Sequence, residues 1–239
     1  MNQVNNGILR IAYFTQSIWI YPIINEINKN AILLKKYKKG DLSEWGISIS
    51  TKLEFLSILV ENINKIASRI KKQLKTDLKK VEECIKEQRT YTLTDNKDAF
   101  ALLGYSESAI IQMQSIYEVV LKYTDEFAKI LIPKGMREQN LLKICKQEGL
   151  SKTWANDLKT IRVDFFHNYS GWLLFRFMGN DIKLIIELPN IKNGKFKRFS
   201  KMHLDQEHIN ELIRGLGKFL ACVSCFLTKS IEKYNQVAQ

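Results

Sequence analysis

Long uninterrupted apolar runs are missing from this 239-residue chain. The most apolar early stretch, Ile8 to Ile24, is broken by Arg10, Gln16 and Pro22, and Leu212 to Ile231 carries Arg214, Lys218 and Lys229. Neither reads as a membrane span. No basic segment precedes an apolar run at the N-terminus, so no signal peptide is expected. The four cysteines, Cys84, Cys145, Cys222 and Cys225, are few and scattered. They imply no disulfide framework and favour a reducing compartment, with the cytoplasm as the expected location. Cys222 and Cys225 form a C-x-x-C inside a helical pattern, with no second pair nearby and no His directly after it. They read as two small apolar residues on a buried helix face, not as half of a zinc site. Glycine-rich phosphate loops, G-x-S-x-G, internal repeats and low-complexity segments are also lacking. His203 and His208 lie with Asp205 and Glu207 at the start of the final helix, but without H-E-x-x-H order. The acids there read as first-turn residues favoured by the helix dipole. No metal and no cofactor is expected.

What is abundant is positive charge. Lys+Arg is 37 against 25 Asp+Glu, a formal net charge of +12. Such a surplus favours polyanionic partners, RNA or DNA first and an anionic membrane surface second. With 45% hydrophobic residues the chain is long enough to bury a sizeable core.

In chain order, residues 8 to 38 read as helical with Pro22 as a kink or break. Asp41-Leu42-Ser43-Glu44 has the pattern of a capping box. Leu53, Leu56, Val60, Ile63, Ala67, Ile70, Leu74, Leu78, Val81 and Ile85 then follow spacings of three and four, one face of a long amphipathic helix. Its other face carries Lys71, Lys72, Lys75, Lys79 and Lys80. A second long helix follows, expected to break or bend near Gly104 and to be recapped near Ser106. Ala109, Met113, Ile116, Val120, Tyr123, Phe127 and Ile130 mark its buried face, and Pro133-Lys134-Gly135 ends it. A shorter helix from about Arg137 to Gln147 stops at Gly149, and another starts at Ser151. After Gly171 the period changes to two. Ile182, Leu184, Ile186 and Leu188 alternate with Lys183, Ile185 and Glu187, Asn193-Gly194 is a turn signal, and Lys195 to Ser200 reads as a short strand. The last helix runs from about Asp205 to Tyr234. The expected fold is mainly α: a helical bundle with a small antiparallel β insertion around 171–200. It forms a single domain over 1–239, with 1–42 as a helical extension packed on a bundle spanning 43–239.

One stretch stands apart, Arg162-Val163-Asp164-Phe165-Phe166-His167-Asn168. An Arg, a carboxylate, an imidazole and a carboxamide fall within seven residues, and polar groups of this kind are costly on an apolar stripe. An imidazole titrating near neutral pH is suited to taking the 2′-OH proton of RNA or protonating the leaving oxygen. A guanidinium is suited to the charge that develops on the phosphate. Five helical residues set positions 162 and 167 about 140° apart, so a helix end loosened after His167, at Gly171, would bring them together. Asp164, three residues before His167, shares its face and is suited to orienting the ring. Asn168 and Tyr169 are candidates for binding phosphate or a base. Arg198 and His203 repeat the same spacing at the end of the strand region, where no helix would organise them.

The Arg162-x4-His167 spacing resembles the signature of the HEPN superfamily, R-x4-6-H near a helix end. The resemblance in motif covers Arg162 to Asn168, and the helix order from about residue 43 to 234 is compatible with it. In many members a polar residue directly follows the Arg; here Val163 takes that place and Asp164 comes one later. The resemblance implies an α-helical bundle and a metal-independent endoribonuclease, of the kind found in toxin–antitoxin and phage-defence systems. Arg162 and His167 would be the catalytic pair, with Asp164 beside them. It also implies RNA as partner, a homodimer whose two motifs line one cleft, and an antitoxin or nucleotidyltransferase-like protein as a further partner. Phe165 and Phe166 would belong to the core or to that dimer face. The competing reading is an inactive HEPN-like module that binds nucleic acid or a partner protein.

Overall fold

The computed structural model describes residues 19–39, 42–88, 91, 93, 96–131, 135–147, 149–150, 153–167, 172–178, 181–187, 190–192, 195–197 and 203–237. Their helices, in order, are α1 (Tyr21–Asn28), α2 (Ala31–Lys39), α3 (Leu42–Thr76), α4 (Leu78–Lys86), α5 (Asn96–Leu131), α6 (Glu138–Gln147), α7 (Trp154–His167) and α8 (Gln206–Val237). Between α7 and α8 lie β1 (Trp172–Met178), β2 (Asp181–Glu187), β3 (Asn190–Lys192), β4 (Lys195–Lys197) and β5 (His203–Asp205). The fold is thus a mainly α-helical bundle with a small antiparallel β element, where the change of sequence period places it. Among the described residues no helix is long and apolar enough to cross a membrane.

The bundle is organised on α5. Ala109, Met113, Ile116, Tyr117, Val120, Tyr123 and Phe127 are all fully buried on it. Each large side chain removed from water in this way contributes about 1.5–3 kcal/mol before its entropy cost. Helix α3 runs antiparallel to α5: Arg69 pairs with Asp98 at one end, and Lys52 donates to Ser115 Oγ at 2.9 Å towards the other. Helices α7 and α8 pack on α5 as well, and α1 lies along α8.

Several expectations are corrected. Helix α1 starts at Tyr21 with Pro22 in its first turn, where a missing N–H costs nothing; residues 8–18 lie outside the described residues, and a break that was not expected follows at Lys29 and Asn30. No break or recap occurs at Gly104 or Ser106, because α5 is continuous and Ser106 is buried within it. A single helical Gly costs about 1 kcal/mol, far less than the burial this helix achieves. The long amphipathic helix is interrupted at Asp77, whose carboxylate accepts the Tyr91 hydroxyl at 2.6 Å. Burial first, and that acceptor second, push the Tyr91 pKa up to about 12. The interruption shifts the stripe: Leu78 and Ile85 are 41% and 55% exposed, Val81 is buried as expected, and Cys84 is buried beside it. Cys222 is buried but Cys225 is exposed, so the two do not share a buried face. The capping-box residue Asp41, the Pro133-Lys134 pair, Ser151 and the Gly194 turn lie outside the described residues.

In the sheet, β1 pairs with β2 and β2 with β5, both antiparallel. Ile182, Leu184 and Ile186 are buried on β2, and Ile185 on the other face of the pleat is buried too. The pairing of Ile186 with Leu204 brings the start of α8 against the sheet.

Candidate functional site

Helix α7 carries the sequence-level candidates, and its position follows from an aromatic anchor at its first turn. Trp154 stacks on Phe219 of α8 at 5.9 Å and meets Tyr117 of α5 edge-on at 5.6 Å. Its indole N–H donates to the Leu212 carbonyl at 2.9 Å. Leu158 and Ile161 continue the buried side of the helix.

Arg162 lies on the partly exposed side. Its Nη1 is 3.9 Å from Glu118 Oε1, with the two side chains 41% and 55% exposed. A pair this long and this wet contributes about 0–1 kcal/mol. One turn earlier Lys159 donates to Glu138 Oε1 at 2.9 Å, and Tyr117 donates to the same oxygen at 2.8 Å. The Lys159 ammonium, with Tyr117, holds the Glu138 carboxyl below its usual range against the opposing effect of burial. Glu118 and Glu138 border a hollow of about 450 Å³ that Lys122 and Arg137 also line.

His167 is the last residue of α7, and the helix is regular through it. The helix therefore does not loosen between the two motif positions, which stay about 140° apart around its axis. The side chains of Asp164, Phe165, Phe166 and His167 lie outside the described residues, as do Asn168, Tyr169, Arg198 and the side chain of His203.

At the other end of α7 the structure assembles a group whose members the sequence reading weighed only as metal ligands and helix-dipole partners. Asp205, 5% exposed, caps α8 by accepting the His208 backbone N–H at 3.0 Å on Oδ1. The same oxygen is 3.1 Å from His208 Nδ1, and Lys183 of β2 is 2.8 Å from Oδ2. Burial pushes the Asp205 carboxyl up, but the Lys183 ammonium, the His208 N–H and the His208 ring outweigh it, and the net shift is downward. His208 borders a cavity of about 690 Å³ between α7 and α8, with Trp154, Asp157, Glu211, Arg214 and Lys218 on its walls. The D-x-x-H spacing was the available signal, but it says nothing of Lys183, which strand pairing delivers. Among the described residues no group of three or more His, Cys, Asp or Glu is placed to hold a metal ion.

The lowered Asp205 pKa gives a testable sign. A depressed carboxyl stabilises the fold above its unfolded value of about 4, and that contribution fades as pH falls through the lower folded value. Asp205→Asn is expected to melt at lower temperature than the parent at pH 7, with the gap narrowing in acid. Melts at pH 7 and near pH 3 check this; an unchanged gap would mean that the carboxylate charge is not the cause.

No protein-family model, no curated protein and no solved structure matches the chain.

Proposed function

We propose that the protein is a metal-independent endoribonuclease of HEPN type, in which Arg162 binds and neutralises the scissile phosphate and His167 transfers the proton. The observation that carries the reading is the state of Arg162. Its guanidinium is half-exposed near the end of a helix packed on the bundle, with Nη1 3.9 Å from Glu118 Oε1. The formal charge of +12 supports a polyanionic substrate. Asp164 is assigned to orienting the imidazole, and Asn168 and Tyr169 to RNA contacts.

The 140° between the motif positions favours a site built by two chains. In a homodimer whose α7 helices meet, Arg162 of one chain faces His167 of the partner subunit. Val163, a valine 49% exposed on the same helix, supplies apolar area for such a contact. The setting proposed for the activity is the cytoplasm, with an antitoxin or nucleotidyltransferase-like protein restraining a toxin or defence effector.

Mixing two dead variants tests this arrangement. Arg162→Ala and His167→Ala proteins are each expected to be inactive on RNA. After subunit exchange, half the dimers are mixed and each holds one intact Arg/His pair, so about a quarter of wild-type activity returns. No recovery despite mixed dimers on native mass spectrometry would refute the shared site. Excess chelator is expected to leave cleavage unchanged. RNA binding without cleavage by the wild-type protein would favour an inactive binding module instead.

A further inference from the structure

We infer that the C-terminal end of α3 is a docking surface for the phosphate backbone of RNA, separate from the Arg162/His167 site. Lys71, Lys72 and Lys75 line a hollow of about 460 Å³ there with Ser68 and Thr76, and among the described residues no acid and no apolar side chain borders it. Spacings of three and four put these residues on one side of the helix. Lys72 and Lys75 are exposed, and neither has a carboxylate within ion-pair distance among the described residues. Lys71 lies 3.8 Å from Asp181, whose side chain is 70% exposed. The Ile182 N–H first, then Lys71 and Lys75, hold that carboxyl below its usual range. One wet carboxylate against three ammonium groups leaves a positive surplus. The helix dipole accounts only for Lys75, since it acts within the last turn.

The surface has definite ends. Towards the start of α3, Lys65 is neutralised by Glu61. On α4, Lys79 is exposed but Glu82 and Glu83 follow it, and the Lys80 ammonium stands 6.0 Å from the centre of the Tyr91 ring. Beyond Lys71, Lys183 and Arg214 share a hollow with Asp181, Asp205 and Glu207, so the charge balances there. From position 68 to position 76 is about 12 Å of helix, the length of three or four phosphates at about 3.4 Å per nucleotide. Both hydroxyls give their hydrogens to helix carbonyls, Ser68 to Asn64 and Thr76 to Lys72, so the ammonium groups alone meet the phosphates. Point-charge contacts of this kind hold a strand without reading its bases. An anionic membrane is the other polyanion that lysines suit, but an interfacial helix needs a free apolar side. That of α3 is turned into the bundle, where Ile66, Ala67, Ile70 and Leu74 are all buried. The choice of RNA rests on the ribonuclease reading; the charged surface does not.

Fluorescence anisotropy of the full-length protein with a labelled single-stranded 2′-O-methyl oligoribonucleotide tests the surface, because that strand lacks the attacking 2′-OH and stays intact. Log K is expected to fall linearly with log salt. Lys71→Gln, Lys72→Gln and Lys75→Gln together remove three contacts, which should lower the slope by about 2 and weaken binding about tenfold or more near 0.1 M salt. The exposed pair alone, Lys72→Gln with Lys75→Gln, should lower the slope by about 1.4, and a normal melt checks the fold of each variant. Lys35→Gln, Lys36→Gln and Lys38→Gln, exposed on α2, remove the same charge elsewhere and should leave the slope nearly unchanged. Phosphatidylserine vesicles are the second probe and should bind more weakly than the strand. Three results would overturn the inference: an unchanged slope in the α3 variants, an equal loss in the α2 variant, or tighter binding to the vesicles. Binding without cleavage of ordinary RNA would refute the Arg162/His167 chemistry and keep the surface. Cleavage by a protein whose binding ignores the α3 lysines would do the reverse.

Discussion

His167→Ala is expected to lower RNA cleavage by about 10²–10⁴-fold, the usual contribution of a general acid–base group. The loss should fall on turnover, because a proton transfer is removed while the phosphate contact at Arg162 stays. Arg162→Ala should be comparably severe, with weaker substrate binding as well. Arg162→Lys should not restore full activity, since an ammonium keeps the charge but loses the planar fork. Asp164→Asn should be milder, as an orienting role allows. Attack by the 2′-OH leaves a 2′,3′-cyclic phosphate, which mass spectrometry of the products detects. His203→Ala is the control for the second Arg/His spacing and should cleave normally. Undiminished cleavage by a folded His167→Ala protein would sink the mechanism. Loss confined to His203→Ala would transfer it to Arg198 and His203.

Gly215→Ala is expected to destabilise the fold, against the usual sign for this exchange. Ala is favoured over Gly in a helix interior by about 1 kcal/mol. At position 215, however, a Cβ would overlap the Cδ1, Nε1 and Cγ atoms of Trp154. That ring is 6% exposed, stacked on Phe219 and bonded to Leu212, so it cannot move aside cheaply. Overpacking of this kind typically costs about 1–3 kcal/mol. Removing the ring itself, by Trp154→Ala, should cost about 3–5 kcal/mol, a large share of the roughly 5–15 kcal/mol of a typical domain. Gly217→Ala is the internal control, because nothing lies within 4 Å of a Cβ there, and it should leave stability unchanged or raise it. Urea unfolding of the three variants decides the matter. A stabilised Gly215→Ala would mean that α7 docks on α8 without this close approach.

The helix stripes were legible because spacings of three and four report burial directly. Ala109, Met113, Ile116, Val120, Tyr123 and Phe127 are buried as that periodicity requires. Leu78 and Ile85 were misread because the phase shift at Asp77 is tied to Tyr91, a residue fourteen positions away. Gly104 was misread because local propensity gave way to the packing of the whole helix. For the site, residue types and spacing picked out Arg162 and His167, but spacing along a helix fixes only an angle. Whether the two groups reach one phosphate depends on a second surface that no local pattern encodes. Asp205 and His208 were weighed only as metal ligands and as partners of the helix dipole. The contact that defines them, Lys183 on Asp205, comes from the β2–β5 register across 22 residues of chain.

The packing of α1 on α8 bears on how the chain is made. Ile23 and Ile27 of α1 are fully buried in the finished protein, yet α8 begins at Gln206, about 180 residues later. A ribosome adding about 5–20 residues per second needs roughly 10–40 s to cover that distance. The α3–α5 pair can close during this interval, because both helices have by then been synthesised. Helix α1 has α2 beside it early, but the side that packs on α8 stays open to chaperones, or to the same side of a neighbouring nascent chain, until α8 emerges.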